Sequence, residues 1–138
     1  MAMKSVRLQP LITLGLLAIV TGCVDSIVRQ LGPDNDPVVV NTQDKFQFTA
    51  TDLENVNDKL TFVWPNSGTK AALHHDSFIH HGYGILVIND AAGQQVDSTL
   101  LELDLDTETG IGTPGNWTLT LIFAAARGRV DFTLTPEP

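Results

Sequence analysis

The stretch WTLTLIFAAARGRVDFTLTP (residues 117–136) decides how this chain folds. Trp117, Leu119, Leu121 and Phe123 alternate with Thr118 and Thr120, and then Val130, Phe132 and Leu134 alternate with Asp131 and Thr133. A period of two sends successive side chains to opposite faces of a pleated strand, so each run has one apolar and one polar face. Arg127-Gly128 between the runs reads as a turn joining two strands.

Working outward, the same alternation recurs. Phe46, Phe48 and Ala50 alternate with Lys45, Gln47 and Thr49, and Leu60, Phe62 and Trp64 with Thr61 and Val63. Leu101, Leu103 and Leu105 alternate with Glu102, Asp104 and Asp106. The run YGILVI (83–88) is apolar on both faces and predicts a central strand. Turn residues fall between the runs in NSG (66–68), DAAG (90–93) and GIGTPG (110–115). No helical stripe is sustained, although residues 52–58 could form one turn. The expected fold is all-β: an antiparallel, two-layer, jelly-roll-like β-sandwich of about eight strands over residues 38–138.

The N-terminus differs in kind. Lys4 and Arg7 precede the ten-residue apolar run LITLGLLAIV (11–20), which is shorter than the ~20 residues a spanning helix needs. The run ends in Val20-Thr21-Gly22-Cys23, which resembles the lipobox of bacterial lipoproteins. That resemblance implies a signal peptide over 1–22, cleavage before Cys23, a diacylglyceryl group on its sulfur and acylation of the new amino group. Cys23 is the only cysteine, so no disulfide within the chain is available. Residues 23–37, rich in Gly, Pro, Asn and Asp, read as a lipidated tether. Val24 after the cysteine resembles an outer-membrane address, so the expected location is the bacterial cell envelope, lipid-anchored at the outer membrane.

With the signal removed, six basic residues face sixteen acidic ones. Such a surface repels nucleic acid and anionic headgroups, so the expected membrane contact is the N-terminal lipid alone. The segments GYGILVINDAAGQQV (82–96) and GTPGNWTLTLIFAAARGRVDFTLTP (112–136), with FQFTA and LTFVW before them, resemble the bacterial pre-peptidase C-terminal domain over about residues 40–136. The resemblance implies a sandwich acting as an accessory or binding module.

Candidate chemistry is sparse. His74, His75, His80 and His81 are all the histidines, gathered in HHDSFIHH with Asp76 between them. They read either as ligands for zinc, copper or nickel or as a solvated polar segment. Neighbouring histidines on a strand point to opposite faces, so each pair offers one ligand to a given site. Glu102, Asp104, Asp106 and Glu108 share one face, as a calcium site or a solvated strand face. Trp64, Tyr83 and Trp117 could stack on sugars, but the two tryptophans fall in phase with the core. Neither a G-x-S-x-G elbow, an H-E-x-x-H pair nor a phosphate loop occurs. The expected function is therefore a non-enzymatic envelope module that binds or scaffolds, without a cofactor, its ligand a protein, a carbohydrate or a divalent cation. The alternative is a metal-handling lipoprotein.

Overall fold

A computed structural model of the chain describes residues 29–102 and 104–138. The expected signal peptide (1–22), Cys23 and the first part of the tether lie outside the described residues.

The alternating runs form seven strands: β1 (Val38–Thr42), β2 (Lys45–Asn66), β3 (Lys70–His75), β4 (Phe78–Asn89), β5 (Gln95–Leu100), β6 (Leu105–Glu108) and β7 (Gly115–Glu137). Every strand pairing is antiparallel, and β7 is the spine. Its first half pairs with the end of β2 (Leu60↔Leu121, Trp64↔Trp117) and with β4 (Leu86↔Leu121). Its second half pairs with the start of β2 (Phe46↔Leu134, Ala50↔Val130) and with β3 (His75↔Phe132). β5 continues the sheet beyond β4, and β6 continues it beyond β3. The ribbon therefore folds over on itself. Phe46, near the start of β2, lies 5.2 Å from Phe62, near its end, ring centroid to ring centroid. One layer holds β1, the start of β2, the end of β7, β3 and β6; the other holds the end of β2, the start of β7, β4 and β5. This is the expected two-layer all-β sandwich, wound from long bent strands.

Seven strands form, and two anticipated breaks are bends instead. Residues 52–58 stay within β2, and Arg127-Gly128 lies inside β7 rather than in a hairpin. The pairing register shows how the bend is made. Between Ala50 and Leu53, and again between Leu53 and Val56, β2 advances three residues while β7 advances two; between Val56 and Asp58 the excess lies in β7. Each extra residue is a β-bulge, which sharpens twist and bends the strand. At these places Asp52, Asn55 and Ala125 adopt left-handed φ of 49°, 55° and 48°. The bulges also reset the inward phase from Phe123 to Ala126, which carries Val130 and Phe132 back into the core.

The core follows from this winding. Phe46, Phe48 and Phe132 stack in one layer, with Phe62 against the first two. In the other layer Trp64 and Trp117 meet edge to face at 6.1 Å, a geometry favoured by the ring quadrupoles. Both tryptophans are fully buried, as their phase predicts, and neither forms a sugar-stacking platform. At the loop end, the buried carboxylate of Asp90 accepts the backbone N–H groups of Thr113 (2.8 Å), Gln94 (2.8 Å) and Ala92 (3.0 Å). Asp90 thereby ties the β4–β5 turn to the β6–β7 loop.

Candidate functional site: the outer face of β3, β6 and β7

On the outward face of the first layer, two rows cross three strands. Glu108, Ala72 and Thr135 form one row; Asp106, His74 and Thr133 form the other. Side chains directly opposite in a ladder share a face, so these six project together. They line a shallow groove of about 740 Å³. Ala72 keeps the floor low, the two threonine hydroxyls offer donors and acceptors along one wall, and the two carboxylates give the β6 wall negative charge. Lys70 reaches Glu108 at 3.5 Å and partly neutralises that end.

His74 Nδ1 meets the Asp106 carboxylate directly. Both side chains are largely in solvent, at 72% and 77% exposure, so the pair adds little stability and is open to a ligand. A smaller hollow of about 310 Å³ continues past it, lined by Asp76, Asp104 and His75 as well. There Arg129 Nη2 donates to Asp76 at 2.9 Å, and this contact leads in holding the Asp76 carboxyl below the usual carboxylate range and the guanidinium above its own.

The four histidines do not converge. His74 points outward to the groove. His75 is turned inward, only 1% exposed, on the row between Leu105 and Phe132, and neither ring nitrogen has a hydrogen-bond partner. Burial pushes its pKa down, opposed by Asp104 and Asp106. His80 and His81 lie on β4 at the bend, where His80 stacks on Phe78 at 5.7 Å and His81 sits opposite Arg127. Among the described residues, no group of three or more His, Cys, Asp or Glu side chains is gathered closely enough to hold a metal ion. The acidic run is also split: Leu101 is buried, but Leu105 is half exposed, because the chain changes layers between β5 and β6.

A second hollow, of about 660 Å³, sits at the bend itself, walled by Phe78, His80, Arg127 and Arg129 on one side and by Asp52 and Glu54 on the other. Sequence reasoning missed it. Arg127-Gly128-Arg129 looked like an ordinary turn, and only the odd spacing from Phe123 to Val130 signals that the strand continues with its phase shifted.

No known family profile matches the chain, and no curated protein matches it. Among solved structures it is similar to a glycoside hydrolase family 43 arabinoxylan arabinofuranohydrolase from Bacillus subtilis, crystallised with cellotetraose, at 15% identity and a TM-score of 0.42. That match covers 66% of this chain and 22% of the hydrolase. It is also similar to Fe(II)-HppE with the alternative substrate (S)-1-HPP, at 12% identity and a TM-score of 0.31, covering 82% of this chain and 62% of that one. Among the described residues no helix is long and apolar enough to cross a membrane.

Proposed function

We propose that this chain is a lipid-anchored module of the bacterial cell envelope that works by binding, with the β3–β6–β7 face as its binding surface and Cys23 as its lipid attachment. The observation that carries the binding reading is the groove. Its floor is small, and its walls carry threonine hydroxyls, two carboxylates and the His74 imidazole. These groups can hydrogen-bond a donor-rich ligand such as an envelope glycan. The lipobox resemblance at Val20-Thr21-Gly22-Cys23 supports the anchor, and Val24 supports the outer membrane as its site.

Ala72→Arg fills the groove from a partly buried position outside the core. Binding of the mature chain to isolated envelope glycans is expected to fall at least about ten-fold in this variant, roughly 1.4 kcal/mol, and to persist in Ile111→Arg at the far end. Equal binding by both variants would remove the groove from the account. Membrane fractionation after palmitate labelling tests the anchor: wild type is labelled and pelleted, and Cys23→Ala is neither.

The second reading, metal handling by the histidine cluster with Asp76, rests on His74 alone among the four, which meets Asp106 directly beside Asp76 and Asp104. Calorimetry with zinc and copper separates the two. Binding tighter than millimolar that is lost in His74→Ala supports metal handling; weaker binding, or binding indifferent to the substitution, opposes it.

A further inference from the structure

The tether is docked, and where it docks sets which end of the sandwich meets the membrane. Arg29 runs parallel to β2, donating its N–H to the Asn55 carbonyl (3.2 Å) and accepting from Asn57 N–H (2.8 Å). Leu31 N–H donates to Asp58 Oδ2 at 3.1 Å, and its side chain packs against the core. The buried Asn35 donates to the carbonyls of Asp52 (2.9 Å) and Thr51 (3.3 Å) and accepts from Gly32 N–H (3.1 Å). All three anchors grip the bulged stretch of β2, at the bent end of the molecule.

From Arg29 the chain has six steps back to Cys23, which reach at most about 20 Å when extended. Arg29 faces Val56, and Val56 faces Ala126 on β7, two strand spacings or about 10 Å across. His81 opposite Arg127 and Tyr83 opposite Ala124 follow on β4. The opposite end, where β2 finishes at Asn66, lies about 30 Å further along the strand. A lipid on Cys23 can therefore bring the bent end to the bilayer and leaves the loop end pointing away.

The bent end has the side chains for that contact. Phe78 and Tyr83 are exposed large rings at 54% and 42%, beside His80, His81 and Arg127. Half of the six basic residues after Cys23 stand here, among the carboxylates of Asp52, Glu54 and Asp76. Arg29 and Arg129 are engaged with Glu54 and Asp76, whereas Arg127 makes no ion pair among the described residues. Rings with polar neighbours and a free guanidinium are the composition that settles at a headgroup boundary.

We propose that the bent end, through Phe78, Tyr83 and Arg127, rests on the same lipid surface that holds Cys23, which keeps the loop end directed away from the membrane. This rests on the lipid-anchor reading. The test uses the full lipidated protein in vesicles of phosphatidylethanolamine and phosphatidylglycerol with dibrominated acyl chains. A tryptophan is introduced at Tyr83 (Tyr83→Trp), at Phe78 (Phe78→Trp) in case the first variant folds poorly, or at the 73% exposed Ile111 (Ile111→Trp). The native tryptophans are fully buried and give a common background. Emission from the two bent-end variants is expected to show on the order of two-fold quenching, as for rings seated at the headgroup–acyl boundary, and that from Ile111→Trp none. Equal quenching at the two ends, or none at either, in protein whose Cys23 carries labelled palmitate overturns the orientation alone. Absence of palmitate from Cys23 overturns the anchor, and the orientation with it.

Discussion

Gly128 carries the sharpest residue-level constraint in the bend. Its φ is 136°, and an added Cβ would stand 2.0 Å from the Phe78 carbonyl oxygen. Gly128→Ala must therefore distort both the backbone and the β4–β7 contact. A loss of at least about 2 kcal/mol is expected in urea unfolding. The two tryptophans invite a comparison of a different kind. Trp117 Nε1 donates to the Thr113 carbonyl at 2.8 Å, whereas Trp64 Nε1 is buried without a partner. Trp117→Phe leaves the Thr113 carbonyl with only the longer hydrogen bond from Ala91 N–H (3.3 Å), whereas Trp64→Phe removes an orphan donor, so the first should cost about 1 kcal/mol more than the second. Titration separates His75 from Asp90. Burial lowers the folded pKa of His75, so below about pH 6.5 the unfolded chain binds a proton that the folded one refuses. Stability should fall as pH drops through that value towards the folded pKa, and His75→Leu should flatten this slope in melts at successive pH values. Asp90 acts lower on the scale. The Thr113, Gln94 and Ala92 amides hold its pKa down, so its contribution is present above pH 4 and is lost on further acidification. Asp90→Asn should abolish that acid step while lowering stability at pH 7.

At the scale of elements, the docked segment from Arg29 to Asn35 is the least expected feature. Asn35→Ala removes three hydrogen bonds at the β2 bulges and should release the segment, with about 1–3 kcal/mol lost and faster proteolysis near Arg29. Cleavage at an unchanged rate would show that Leu31 alone holds it. This docking was not legible in the sequence, because residues 23–37 have turn composition and no periodicity, and a single buried asparagine leaves no pattern. The strands were legible wherever alternation persists: Phe46 to Ala50, Leu60 to Trp64, Trp117 to Phe123 and Val130 to Leu134 all face the interior as their phase requires, Leu60 and Phe62 less deeply. What the pattern hid was continuity. A bulge shifts the phase by one residue and looks like a turn, so two strands were read where β7 has one. The candidate face was only partly legible for a related reason. His74 stood out by type, but Ala72, Thr133 and Thr135 have no chemical signature, and only the ladder register places them around it.

For the whole molecule, the proposal joins a lipid at Cys23 to a bent end gripped by the tether and a groove on the first layer. The fold needs no disulfide, because β2 and β7 pair along nearly their full lengths and enclose four phenylalanines and two tryptophans. Its central claim is that Cys23 is the first residue of the mature protein and carries the lipid. Mass spectrometry of the N-terminal peptide, from protein extracted from the membranes of its native host, tests this most directly. The account predicts a peptide that begins at Cys23, with a diacylglyceryl group on sulfur and an acyl group on nitrogen. A peptide that begins elsewhere, or a Cys23 with a free thiol, would contradict it.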